Sequence, residues 1–314
     1  MKNKSSHHGL LLIDKPSGIS SFDVIRVLRK KIKIKKMGHT GTLDPMASGL
    51  LVICIGEGTK LVQYLTTDEK AYEAVLSLGF STNTYDAQGQ KTDESSLEDV
   101  QTITGAEIQN ALTHFRGNQE QIPPLFSAIK VKGERLYQKA RRGEIHDLES
   151  LKRSITIHQL DLLDYNPTQH TVRLFIRCSK GTYIRSLVVD LAKKLGVHGH
   201  LSYLKRTQCG RFHLHQAHPL DTIDLPTLSQ AILPLEDALA HWPQITVSEQ
   251  QHLDLSHGKE IKINSYPLDL DKTHRGCALT KEGKLIALIQ PVHPSLSPKD
   301  AGSKMIKVLR GIQT

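Results

Sequence analysis

The segment Gly38–Gly56, GHTGTLDPMASGLLVICIG, constrains this chain more than any other stretch. It sets a turn rich in special backbone residues directly before a fully apolar strand, Leu50–Ile55. Within the turn stands one carboxylate, Asp44, immediately ahead of Pro45. A residue before proline is pushed out of the helical region toward an extended backbone. Gly38 and Gly41 allow positive φ or the close approach of another backbone. The combination predicts a rigid, exposed turn that presents a single Asp. A bare Thr-Leu-Asp-Pro tetrapeptide is more often an ordinary Asx turn, so a functional reading needs support from elsewhere in the chain.

The remaining pattern reads as α+β. Residues 9–14 predict a short buried strand and Lys15–Gly18 a turn. Ser20 or Ser21 then caps a helix with Asp23 in its first turn. That helix runs into Arg29–Lys36, which carries six positive charges in eight positions. Lys70–Phe80 and Val172–Cys178 read as strands, Ser81–Thr92 as a polar turn region and Ala106–Phe115 as a helix. Residues 119–153 are basic, carry Pro123-Pro124 near their start and read as an insertion. Leu187, Val188, Leu191 and Leu195 mark one face of a further helix, which Gly196 stops. Beyond Trp242, Gly276–Thr280, Leu285–Pro291 and Met305–Leu309 predict short strands of a small second domain. The expected division is therefore 1–241 and 242–314.

Several classes are disfavoured. No apolar run approaches the roughly 18–20 residues that span a bilayer. The N-terminus lacks the apolar stretch of a secretory signal. Four scattered cysteines without a CxxC pair read as reduced thiols of a cytoplasmic protein. Gly56–Lys60 lacks the spacing of a phosphate loop, and neither GxSxG nor GxGxxG occurs. His213, His215 and His218 have no carboxylate or cysteine set beside them in sequence, which disfavours a metal site. The net charge of +9 fits either a solvated basic surface or a polyanionic partner. Aromatics at 5% disfavour a broad base-stacking platform, so an RNA binder here would use backbone contacts plus one specific pocket.

The string GHTGTLDPMASGLLVICIGEGTKL resembles the catalytic signature of the TruB family, the bacterial tRNA pseudouridine-55 synthases. LLIDKPSGISSFDV is similar to that family's N-terminal strand-turn-helix, and KAYEAVLSLG to its active-site Tyr segment. FRGNQEQIPPLFSAIKVKGERLYQKARRGE resembles its thumb insertion. CSKGTYIRSLVVDLAKKLG resembles its active-site Arg segment, and LSYLKRTQCGRF the segment with a pocket-lining Leu. Phe126 stands where the family usually has Tyr, which removes one hydroxyl.

The resemblance implies a pseudouridine synthase fold: a central mixed, mainly antiparallel sheet with flanking helices, plus a PUA-like C-terminal RNA-binding domain. It implies isomerisation of the T-loop uridine of tRNA, by breaking the uracil N1–C1′ bond and rejoining the base through C5. Nothing is oxidised and no atoms are added, so neither cofactor nor metal is expected. Asp44 would be the catalytic carboxylate, as nucleophile or as base at the sugar, with Arg185 as its partner. Tyr72 would lie against the uracil, Leu204 would wall the pocket, His39 would pack near the vacated position, and Lys15 would contribute to the site's architecture. Lys30, Lys31, Lys33, Lys35 and Lys36, with thumb residues Lys130, Lys132, Arg141 and Arg142, would hold phosphates. The expected partner is the T-stem-loop, engaged by a monomer without an obligate protein partner. Two alternatives stay open: an RNA-folding protein with dispensable catalysis, and a guide-RNA-dependent relative.

Overall fold

A computed structural model describes residues 7–66, 69–144, 147–263, 275–292 and 304–312. Eight strands of an eleven-stranded sheet frame the site: β1 (Gly9–Lys15), β2 (Met37–His39), β3 (Ser48–Ile55), β4 (Lys70–Leu78), β5 (Gly117–Gln121), β6 (Arg153–Asn166), β7 (Thr171–Cys178) and β8 (Gly199–Cys209); the other three are two-residue strands at its margin. Their order is β1-β3-β8-β4-β7-β6-β5, with β2 paired to β3. Within this path only β3 and β8 run parallel, so the sheet is mixed and mainly antiparallel. That parallel seam pairs Gly49 with Arg206, directly after the Asp44 loop.

The fully apolar sequence of β3 has a packing reason. Side chains alternate between the two faces of a strand. Leu51, Ile53 and Ile55 enter one hydrophobic core, while Leu50, Val52 and Cys54 enter another. The first core is covered by α1 (Ser21–Ile32), α2 (Gly105–Thr113) and α4 (Ile184–Lys194), the last contributing Leu187, Val188 and Leu191. A short helix, α3 (Leu136–Arg141), lies between α2 and α4 in the chain. Ser20 starts α1 through a capping box with Asp23, and Lys33 ends it at φ 59°.

The second core reaches the C-terminal part. There β9 (Gln244–Thr246), β10 (Ile261–Ile263), β11 (Gly276–Leu279), β12 (Leu285–Val292) and β13 (Lys304–Gly311) form a sheet ordered β9-β11-β12-β13-β10. Cys277, Leu285, Leu288 and Ile312 share a core with Leu10, Leu50 and Val52. Tyr64 meets Trp242 edge to face, with ring centroids 5.9 Å apart. The small sheet is thus joined to the back of the large one by apolar contact.

The insertion is shorter than its composition suggests. Gln119–Gln121 belongs to β5, where Gln121 pairs with Arg153 at the start of β6. The chain leaves the sheet after Gln121, forms a small hairpin of Lys130–Val131 against Glu134–Arg135, continues into α3, and returns at Arg153.

Candidate active site

The Asp44 loop is held from three sides. Gly18 N–H donates to the Pro45 carbonyl at 2.8 Å, and the Ser17 hydroxyl to that of Met46 at 2.8 Å. The Ser21 hydroxyl both donates to the Leu43 carbonyl and accepts from Leu43 N–H. From the other side, Arg206 donates to the carbonyls of Gly41 at 3.1 Å and Leu50 at 2.7 Å. The glycine that the geometry demands is Gly49, at φ +96°. A Cβ there would lie 2.3 Å from the Arg206 carbonyl oxygen. Gly38 and Gly41 do not have positive φ, and a Cβ on either would meet its nearest neighbour at 3.5 Å. The loop's rigidity therefore comes from its clamps and from Gly49 at the strand seam, not from the two leading glycines.

Arg185 sits in the first turn of α4 and is 4% exposed, so it is a buried group. The start of α4 is fixed by Gln121, whose amide donates to the Tyr183 carbonyl and accepts from Tyr183 N–H. The Arg185 Nε lies 2.9 Å from Asp44 Oδ2, and Nη2 donates to Asp44 Oδ1 at 3.3 Å. The Nε–H is not aligned on its carboxylate, so that half is an ion pair without a well-directed hydrogen bond. Arg185 also donates to the carbonyls of Thr84 at 2.8 Å and Phe126 at 3.0 Å. Phe126 thus reaches the site through its backbone. A second carboxylate, Asp86, places Oδ2 3.8 Å from Arg185 Nε. Asp86 is buried, and its Oδ1 accepts from the Thr84 hydroxyl and Gln88 N–H. Asp86 lies in a segment whose polar, turn-rich sequence had no feature to single it out.

Asp44 and Arg185 stand where two cavities meet. One, of about 510 Å³, is lined by Tyr72, Leu204, Arg206 and Lys70. Tyr72 and Leu204 come from neighbouring strands β4 and β8, where Leu204 pairs with Ala74 and Arg206 with Tyr72. Burial pushes the Tyr72 phenol well above its usual range, partly offset by the adjacent Arg206 charge. The other cavity, of about 630 Å³, holds Phe22, His39, Asp86, Tyr137 and Arg141. His39 is half-buried; its Nδ1 has no partner among the described residues, and burial lowers its pKa.

The other expected site residues divide. Lys15 is buried behind the loop and donates to the carbonyls of Pro16, Ile19 and Pro45 at 2.8, 2.7 and 3.4 Å. Burial pulls its pKa down to about 8. It does not line either cavity around Asp44. Within the basic strip, Lys31 is tied to the carbonyls of Leu220 and Asp221, and Lys36 pairs with Glu57 at 2.6 Å. Lys30, Lys33 and Lys35 are exposed. In the insertion Lys130 and Lys132 are exposed, whereas Arg142 is held by Glu134 and Glu144. Arg141 lines the second cavity.

The comparison with known proteins identifies the family. A family model described as TruB family pseudouridylate synthase (N terminal domain) matches residues 29–184, and one described as tRNA pseudouridylate synthase B C-terminal domain matches 185–240. These matches place the chain in the class of the pseudouridylate synthases. Proteins named tRNA pseudouridine synthase B are similar over most of the chain. The one from Clostridium tetani is 39% identical over 96% of this chain and 99% of its own. The one from Pseudomonas paraeruginosa is 40% identical over 84% and 86%, and that from Bacillus subtilis 37% over 92% and 94%. The chain belongs to the TruB family. Its fold is shared with a chain of a Cbf5-Nop10-Gar1 complex at TM-score 0.70, 24% identity, and coverage of 98% of this chain and 84% of that one.

Proposed function

We propose that this protein is a tRNA pseudouridine synthase that isomerises the T-loop uridine through Asp44, with residues 1–241 as catalytic domain and 242–314 as a PUA-like RNA-binding domain. The observation that carries this reading is the Asp44–Arg185 pair at the mouth of a cavity walled by Tyr72 and Leu204. The relatives named tRNA pseudouridine synthase B supply the substrate class.

The residues divide the work as follows. A uridine stacked in a loop is flipped outward at a cost of a few kcal/mol. Its uracil enters the cavity between Tyr72 and Leu204, which brings the sugar to Asp44. Arg185 fixes the carboxylate by a two-point contact. As N1–C1′ breaks, Asp44 either attacks C1′ or accepts a sugar proton, and the uracil leaves with the bonding pair. The base turns and C5 joins C1′, which displaces the Asp44 carboxylate in the first case and is accompanied by return of the sugar proton from Asp44 in the second; the C5 proton then leaves near the Tyr72 hydroxyl. His39, neutral at pH 7 because burial lowers its pKa, packs beside the vacated stack. Lys30, Lys33, Lys35, Lys130, Lys132 and Arg141 hold phosphates. The protein works as a cytoplasmic monomer without an obligate partner. Purified protein incubated alone with an unmodified tRNA transcript tests this: pseudouridine should form in the T loop, and its absence would remove the reading.

A further inference from the structure

Arg206 is 1% exposed. The ion pairs around it join Arg185 to Asp44 and Asp86, and among the described residues none includes Arg206. Its contacts are two backbone carbonyls, Leu50 and Gly41, and the Tyr72 phenol that its guanidinium faces. A buried charge without a counter-ion is costly, and carbonyl acceptors alone could be satisfied by a neutral amide. The charge lines the same cavity as Tyr72 and Leu204. The carboxylate that lines this cavity, Asp44, is taken up by Arg185, so the Arg206 charge faces the cavity without an anion of its own.

We propose that Arg206 stabilises the uracil anion formed when the N1–C1′ bond breaks. This rests on the function proposed above. Uracil enters neutral and becomes anionic only after heterolysis, so a fixed cation favours the transition state over the ground state. The bonding pair passes to N1 and spreads over O2 and O4. The deficiency at the sugar is met by the Asp44 carboxylate or by loss of a sugar proton to it. C5 then bonds to C1′ as the Asp44 carboxylate leaves or returns the sugar proton, and the C5 proton departs, leaving an isomer with no net oxidation. A buried, pre-positioned charge acts without reorganisation at the moment of reaction. Tyr72 extends the effect, because Arg206 polarises the phenol beside C5.

The test compares wild type, Arg206→Gln and Arg206→Lys in single turnover on tRNA transcripts containing uridine or 5-fluorouridine. Fluorine withdraws electrons and stabilises the uracil anion, so the fluorinated base needs less help from the enzyme. Because C5 of the fluorinated base has no proton to lose and cannot give pseudouridine, the reaction of both transcripts is followed as loss of the starting nucleoside in chromatographed nuclease digests, and folding by circular dichroism. Arg206→Gln should slow uridine conversion about 100-fold, the size expected when one charge-stabilising group is removed. The loss on 5-fluorouridine should be at least roughly tenfold smaller, and Arg206→Lys should recover part of the uridine rate. If Arg206→Gln does not fold, the same substrate difference, reduced in size, should appear in Arg206→Lys. Equal losses on both transcripts, with wild type active, would show that Arg206 only holds the Gly41 loop, and would overturn its charge role alone. An inactive wild type would instead overturn the underlying function.

Discussion

Asp44 and Arg185 are separated by 141 positions in the chain, yet Asp44 Oδ2 lies 2.9 Å from Arg185 Nε and Oδ1 accepts from Nη2 at 3.3 Å. The same guanidinium bonds the Thr84 and Phe126 carbonyls, so one side chain ties together α4, the Asp44 loop and the insertion. Arg185→Lys keeps the charge but loses the planar fork. It should lower the single-turnover rate by roughly 30-fold, about 2 kcal/mol of transition-state stabilisation. A wild-type rate in Arg185→Lys would reduce Arg185 to a structural contact.

Asp86 should matter although Asp44, not Asp86, is the carboxylate assigned to the sugar. Its Oδ2 stands 3.8 Å from Arg185 Nε, so its charge bears on the same guanidinium that orients Asp44. Asp86→Asn preserves shape and removes the charge. The expected result is about a tenfold slower chemical step, near 1.4 kcal/mol, with tRNA affinity unchanged. Binding and single-turnover assays on the same preparation separate the two, and a drop in affinity alone would contradict the assignment.

The basic strip should act unevenly. Lys30, Lys33 and Lys35 are exposed, while Lys31 and Lys36 are engaged within the protein. A Lys30→Ala, Lys33→Ala, Lys35→Ala variant should flatten the log–log salt dependence of tRNA binding by up to about 2.7, at roughly 0.9 for each duplex phosphate no longer neutralised. Lys36→Ala should change it much less. An unchanged slope in the triple variant would make the strip a solvated helix end.

His39 gives a pH dependence of known sign. Burial lowers its folded-state pKa below the ordinary value of 6.5. Between 6.5 and that lower value the unfolded chain binds the proton and the folded one does not, so stability falls as pH drops through this window. Thermal unfolding of wild type and His39→Asn from about pH 7 to about pH 5 should show the variant losing less Tm on acidification. His8 and His241 are lowered by burial too, so only the difference between the two proteins is diagnostic. Parallel curves would contradict a buried, neutral His39.

What the sequence made legible was local. The Asp-Pro turn, the Ser20 cap, the apolar β3 and the helix face of α4 follow from short-range rules. The resemblance carried Asp44, Tyr72, Arg185 and Leu204 to one place, and the fold lines a single region with them. What stayed hidden depends on long-range contact. Strand β6, RSITIHQLDLLDYN, lacks a clean alternation because its register against β7 shifts between Ile157 and Gln159 and again between Leu162 and Asp164, which moves its buried positions from Ile155 and Ile157 to Leu160. Asp86 and Arg206 gain their meaning only from burial beside Arg185 and Tyr72. Gly49 matters because β8 passes against it, which no neighbour in sequence announces. Lys15 is anchored chiefly by the nearby Pro16 and Ile19 carbonyls, and only its longer third contact, to the Pro45 carbonyl thirty positions away, reaches the Asp44 loop.

The central claim is that Asp44 performs the chemistry. The most direct measurement is pseudouridine formation by purified Asp44→Asn under single-turnover conditions with saturating tRNA transcript, alongside its tRNA affinity. Asn keeps the size of the side chain and removes the charge proposed to attack the sugar or take its proton. The account predicts no detectable product with affinity within a few-fold of wild type. Clear turnover by Asp44→Asn, in protein shown to be free of wild-type enzyme, would contradict it.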